Sequence, residues 1–298
     1  MTGSNDIVSK RLPPWLCRPL AQPGRAIAVA DMLDELSLHT VCQSAKCPNR
    51  GECFSAGTAT FLIMGDACTR GCRFCAVKTE RPLPLDADEP RRVGEAAAKL
   101  GLRHVVITTV TRDDLPDGGA AHFVEVIDAV RGAVPGVAVE VLTSDFGGRS
   151  CDIDTVAAAT PDVFNHNVET VPRLYPEVRP GADYARSLSV LARVRETQPA
   201  VPTKSGLMLG LGETPDEVVA VMADLLEHGV SMLTLGQYLR PSPAHLPVAE
   251  FVEPATFADL SRTAYRMGFS AVASAPFVRS SYHAGELAVD GEAVREGQ

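Results

Sequence analysis

The chain has 298 residues, 45% of them apolar, and carries 37 acidic against 28 basic side chains for a net charge of −9. That balance suits one globular body with extensions and argues against a nucleic-acid partner, whose phosphates call for a basic face. No run of 18 apolar residues occurs, so no membrane span is expected, and residues 1–30 lack the basic start and apolar core of a secretory signal. In chain order, Pro13, Pro14 and the Pro23-Gly24 pair make residues 1–30 read as an extended arm. Trp15, the single tryptophan, is expected to anchor that arm by burying its ring, and Cys17 beside it reads as a small apolar residue. Apolar side chains at helical spacing predict a short helix over 29–38. Residues 39–57 read as a loop carrying Cys42, Cys47 and Cys53, where Pro48, Gly51 and Gly57 permit tight turns.

From residue 58 onward, apolar β-rich runs alternate with helical patterns. Strands are expected at 58–64, 104–110, 137–143, 162–167, 203–209 and 231–236, with helices near 89–100, 119–133, 151–159, 183–197, 214–228 and 255–267. Thr214 followed by Pro215 is a good helix start. Six successive strand–helix units imply a parallel sheet with right-handed crossovers, and runs apolar throughout suit strands covered on both faces. The expected fold is α/β, an incomplete (β/α)6 TIM-like barrel spanning 58–267. Residues 1–57 then form an N-terminal extension carrying the first cysteines, and 268–298 a C-terminal extension with Arg279-Ser280-Ser281-Tyr282. Chemistry in such barrels sits at the C-terminal strand ends. The polar groups expected there also have plain structural readings. Asp113, Asp114, Gly118 and Gly119 suit a turn, and the glycines from Gly206 to Glu213 suit a strand–helix loop. Asn165, His166 and Asn167 need partners if buried, with His166 read as structural, and Cys151 as a packed residue.

Six of the eight cysteines fall between positions 42 and 75. Cys42, Cys47 and Cys53 are spaced C-x4-C-x5-C. Cys68, Cys72 and Cys75, directly after the first strand, are spaced C-x3-C-x2-C with Phe74 before the last. A disulfide framework belongs to small secreted chains. Three thiolates on a short loop suit three corners of an iron–sulfur cube, leaving one iron open, with zinc as the alternative that spacing leaves. Unpaired, metal-spaced cysteines point to the reducing cytoplasm.

The Cys68–Cys75 motif resembles that of the radical S-adenosylmethionine (SAM) enzymes. Together with the first triplet and the R-S-S-Y motif, it resembles the lipoyl synthase family among them. The resemblance implies two [4Fe–4S] clusters and SAM as cofactors. Cys68, Cys72 and Cys75 would hold the cluster that binds and cleaves SAM. Cys42, Cys47, Cys53 and Ser281 would hold an auxiliary cluster that donates sulfur, giving those four residues a catalytic part. Phe74, Asn167 and Glu169 carry over as cofactor contacts, the last two at the ribose. The implied activity is that of a sulfurtransferase inserting two sulfur atoms at C6 and C8 of a protein-bound octanoyl-lysine to give lipoyl-lysine. Unactivated C–H bonds are beyond proton-transfer chemistry, so a radical cofactor is consistent with it. Implied partners are an octanoylated lipoyl carrier domain or glycine-cleavage H protein, a low-potential electron donor and an iron–sulfur carrier for cluster repair. Biotin synthase shares the N-H-N stretch but lacks this first triplet and R-S-S-Y. A non-catalytic iron–sulfur carrier would not need polar strand ends around a barrel.

Overall fold

The computed structural model describes residues 12–17 and 23–296. After a 3-10 turn at Pro14–Leu16 come α1 (Pro23–Glu35), β1 (His39–Thr40), α2 (Val41–Ser44) and α3 (Arg50–Ser55). Next are β2 (Thr60–Ile63), the short pair β3 (Ala67–Cys68) and β4 (Lys78–Thr79), α4 (Glu89–Leu100) and β5 (His104–Thr109). The alternation continues with α5 (Ala120–Ala133), β6 (Ala138–Leu142), α6 (Ser150–Ala158), β7 (Val163–Asn165), α7 (Tyr175–Val178) and α8 (Tyr184–Thr197). It ends with β8 (Thr203–Leu209), α9 (Pro215–Glu227), β9 (Met232–Gln237), α10 (Pro254–Met267), β10 (Ala271–Ser274) and α11 (Ala284–Glu296).

One curved sheet has the order β1-β2-β5-β6-β7-β8-β9-β10, with β1 antiparallel and the others parallel. The six expected strands and their helices are present within a few residues. β10 adds a seventh parallel strand, and among the described residues β1 and β10 are the two edges of the sheet and do not pair with each other, so the barrel is incomplete. Strand faces turned outward bury Val105, Ile107, Val139 and Val141 against Val93, Phe123, Ile127 and Val130 of α4 and α5. Leu207, Leu209, Leu233 and Leu235 pack on Val218, Val221, Met222 and Leu225 of α9. Each such side chain contributes about 1.5–3 kcal/mol on burial. α9 starts with the expected Thr214 cap, reciprocated by Glu217.

The inward faces are more polar. Lys204 Nζ donates to Glu140 Oε1 at 2.8 Å with both side chains fully buried. Asn165 Nδ2 donates to the same carboxylate at 3.2 Å, and His104 Nε2 lies 3.5 Å from its other oxygen. Burial raises the Glu140 pKa, but Lys204 and His104 outweigh it and hold the carboxyl below its usual range.

The N-terminal region departs from its sequence reading. Pro23 and Gly24 lie within the first turn of α1, which ends at Glu35 instead of starting at 29. Proline at a first helical position needs no N–H there, so it opens a helix as well as a turn. Trp15 is 36% exposed, and Leu16 is the buried residue of its turn. Cys151, expected to pack, is exposed, and so is Cys17, read as a small apolar residue. Residues 1–11 and 18–22 of the expected arm lie outside the described residues.

Candidate functional site

β2 hands the chain to the second cysteine triplet through Met64 and Gly65, both at positive φ. The Met64 N–H is held at 2.8 Å by the buried Glu89 carboxylate, which also meets His122 Nε2 at 2.7 Å. The following loop is pinned to several strand ends. Thr69 N–H donates to the Thr111 carbonyl after β5, and Arg73 N–H donates to that of Val178 after β7. Leu246 N–H, after β9, donates back to Arg73 O, and His245 Nε2 lies 3.0 Å from Cys75 O. Arg70 forms a two-pronged bond to Asp113 and a third at 2.8 Å to Asp145. Burial opposes ionisation of Asp145, yet Arg70 holds its pKa at about 2. Asp113 is thus a clamp on the cysteine loop, and Asp114 pairs with Arg112. The Cys68 sulfur receives the N–H groups of Arg70 and Thr111 at 3.4 and 3.3 Å.

The first triplet was expected on a loop and lies mostly on short helices. Cys42 is in α2, Cys53 in α3, and Cys47 in the connection between them. The R-S-S-Y segment closes over it. Thr60 Oγ1 donates to Ser281 Oγ at 2.8 Å, and Thr60 lies beside the Cys42 thiol, whose pKa it acts to lower. Tyr282 OH donates to Glu52 at 2.7 Å, and Asn49 Nδ2 to the Phe277 carbonyl at 2.7 Å. A glycine is required beneath this strap, because a Cβ on Gly236 would stand 2.0 Å from Val278 O. Thr60 begins β2 whereas Cys68 follows its end. The triplets therefore stand toward opposite ends of one strand, and both line a single cavity of 1390 Å³.

All six cysteines are free thiols. Burial, with further repulsion from neighbouring thiols, pushes Cys42 up to about 11 and Cys53 and Cys75 up to about 12. Burial likewise raises Cys72. Such thiols ionise at neutral pH only beside strong positive charge, which iron provides. Among the described residues no three His, Cys, Asp or Glu side chains converge as a single ion requires. An iron–sulfur cube takes each thiolate on its own iron, and three thiols in the loop of Cys68, Cys72 and Cys75 match that donor number.

Between the triplets, Asn167 Nδ2 donates to Glu169 Oε1 at 3.0 Å and to Ser280 Oγ at 2.5 Å. Glu169 sits at φ 67°, uncommon for a non-glycine residue, and burial raises its pKa. Phe74 lines the same cavity and packs on the core beneath α9. Arg179 was not foreseen. Its Nη1 donates to Asn167 O, Val168 O and Tyr175 OH, while its buried Nε has no partner. Its charge acts on both Cys72 and Glu169. Its spacing of four from Tyr175 marks only that local pair, and its reach to Asn167, twelve positions back, leaves no pattern. Glycines 206 and 210 allow close approach: added Cβ atoms would stand 2.4 Å from Thr234 Oγ1 and 2.3 Å from Glu250 O. Glu213 closes that loop by accepting the Leu211 N–H at 3.0 Å.

His166, expected to be structural, is buried at the wall of the same cavity. Its Nδ1 donates to Thr143 O at 2.9 Å, and burial, reinforced by Arg179, lowers its pKa from 6.5 to about 4. The unfolded chain takes up this proton between those values and the folded chain does not, so its stabilising contribution is full above pH 6.5 and lost toward pH 4. Over that window His166→Gln is expected to remove on the order of 3 kcal/mol of pH dependence from chemical denaturation. Parallel stability profiles for the two proteins would contradict the assignment.

The Radical SAM superfamily model matches residues 62–225. A lipoyl synthase of Caldanaerobacter subterraneus subsp. tengcongensis is 60% identical over 252 residues, covering 85% of this chain and 88% of that protein. One from Methylococcus capsulatus is 57% identical over 279 residues, covering 93% and 87%. The chain belongs to the lipoyl synthase family. Its members are radical SAM sulfurtransferases, and the superfamily domain brings with it a [4Fe–4S] cluster and SAM. Solved structures agree on the fold. Methylornithine synthase aligns with TM-score 0.55 at 14% identity over 82% of this chain and 74% of its own. A maturase of the [FeFe]-hydrogenase aligns at 0.57 and 14%, over 84% and 63%. Among the described residues no helix is long and apolar enough to cross a membrane.

Proposed function

We propose that this protein inserts two sulfur atoms, at C6 and C8, into an octanoyl chain carried on a lysine of another protein, yielding lipoyl-lysine. The observation that carries the reading is the pair of thiol triplets on one cavity, with Ser281 hydrogen-bonded to Thr60 beside Cys42. Cys68, Cys72 and Cys75 hold the cluster that meets SAM, and Cys42, Cys47, Cys53 and Ser281 hold the auxiliary one. When bound, these groups supply a carbon-centred radical able to take hydrogen from an alkyl chain and a sulfide able to join the resulting carbon.

The chain's own residues orient and enclose. Asn167 and Glu169 are placed to hold a ribose diol, and the unpartnered Arg179 Nε to meet the carboxylate of the methionine moiety. Leu62, Val106 and Leu142 give the same cavity an apolar wall suited to an alkyl chain. A serine among three thiolates makes the auxiliary cluster easier to dismantle, as a donor that gives up its sulfur must be. On this reading residues 1–57 and 268–298 together build the auxiliary site, and 58–267 the radical barrel. The substrate is an octanoylated lipoyl domain or glycine-cleavage H protein, and turnover needs a low-potential electron donor and an iron–sulfur carrier that rebuilds the spent cluster, a set of partners at home in the cytoplasm.

The test is anaerobic reconstitution with iron and sulfide counting, then mass spectrometry of an octanoylated carrier peptide after turnover. The expected product has gained two sulfurs, with iron for two cubes per chain. Iron for one cube, or an unmodified peptide despite SAM cleavage, would overturn the proposal.

A further inference from the structure

Ser280 and Ser281 are neighbours in sequence with hydroxyls committed to different halves of the site. Ser280 Oγ accepts the 2.5 Å bond from Asn167, on the cofactor side, while Ser281 Oγ accepts from Thr60 beside Cys42. Both hydrogens of an amide nitrogen are all it can donate, and Asn167 Nδ2 gives one to Glu169 and one to Ser280. Asn167 Oδ1, by contrast, is buried without a partner. An orphaned acceptor beside fully engaged donors is a group awaiting a hydroxyl-bearing ligand. We propose that Ser280 is a positioning residue that passes cofactor occupancy from Asn167 to Ser281.

The inference rests on the reading of Asn167 as a ribose contact and Ser281 as an auxiliary ligand. A ribose diol supplies a donor to Asn167 Oδ1 and competes for its amide hydrogens, displacing Ser280. The strap is then held by Ser281 on Thr60, Tyr282 on Glu52 and the Phe277 carbonyl on Asn49, all beside the first triplet. Adjacent Cα atoms are fixed about 3.8 Å apart, so freeing Ser280 lets Ser281 settle toward the cysteines. SAM binding therefore seats the serine ligand before any hydrogen is taken from substrate.

The test uses the full chain loaded anaerobically with both clusters, as the unsubstituted protein, Ser280→Ala and Ser280→Thr. Removing the competing hydroxyl is expected to tighten SAM binding by about threefold to tenfold, the range of one net hydrogen bond. A merely structural serine would give weaker or unchanged binding on removal, and that result overturns the proposal. Mössbauer spectra should show the serine-ligated iron fraction rising with SAM in the unsubstituted protein and already at its saturated level in Ser280→Ala without SAM. Ser280→Thr, which keeps the hydroxyl, should restore both behaviours. A serine-ligated fraction indifferent to SAM in the unsubstituted protein, or a threonine variant that behaves like alanine, also overturns it. Iron for a single cube in the unsubstituted protein would instead bring down the underlying two-cluster reading, and is distinguishable by the count alone.

Discussion

Alanine at Cys72 is expected to reduce SAM cleavage to background, whereas alanine at Cys53 should leave cleavage measurable and eliminate sulfur insertion. The contrast follows from where the thiols sit. Cys72 lies in the loop that Arg70, Thr69, Arg73 and His245 tie to four strand ends, so its neighbours hold the cysteine positions but supply no substitute ligand. Loss of a ligand should exceed the roughly 10–100-fold that loss of an outer hydrogen-bond partner costs a metal site. Cys53 lies on α3, under the strap from residues 277–282, and its removal leaves the ties on the other loop in place. The measurements are chromatographic quantitation of methionine and 5′-deoxyadenosine, and mass spectrometry of the carrier. Lipoyl product from Cys53→Ala would end the sulfur-donor assignment; continued cleavage by Cys72→Ala would end the other.

The second large effect lies inside the barrel. Lys204→Met is expected to destabilise the fold by about 3–5 kcal/mol, because it strands the Glu140 carboxylate in a dry interior. Without Lys204 the carboxylate keeps only His104, 3.5 Å from its other oxygen and short of a hydrogen bond, and Asn165 Nδ2, which carries no charge. Changing both residues together, Glu140→Leu with Lys204→Met, should recover most of the loss, since no isolated charge remains. Urea denaturation of the single and double variants distinguishes the cases. A single variant as stable as the parent would mean that the pair is solvated or compensated in some other way.

The parallel strands were legible because both their faces are covered, which gives continuous apolar runs such as 61–64 and 105–107. The helix starting at Thr214 announced itself through cap and proline. Cysteine spacing marked two donor sets, and the motif match with R-S-S-Y paired Ser281 with the first of them. Three things were not legible. Pro23 serves helix starts and turns equally, so α1 was placed six residues late. Whether Trp15 is buried depends on what packs beside it, and local sequence does not record that. Lys204 and Glu140 find their partners on other strands, and Arg179 reaches past Tyr175, four positions back, to carbonyls eleven and twelve positions back, where no repeating interval betrays it. Ser280 was visible as part of a motif, but its bond to Asn167 spans 113 positions.

The strap has a consequence for biogenesis. Its bonds to Asn49, Thr60 and Glu52 join residues 228, 221 and 230 positions apart. A ribosome delivers chain N-terminus first, at about 5–20 residues per second. The first triplet therefore leaves the exit tunnel roughly ten to fifty seconds before the serine proposed to complete its donor set, while Cys68, Cys72 and Cys75 emerge nearly together. Of the two thiol triplets, the one encoded first is the last that the growing chain can enclose.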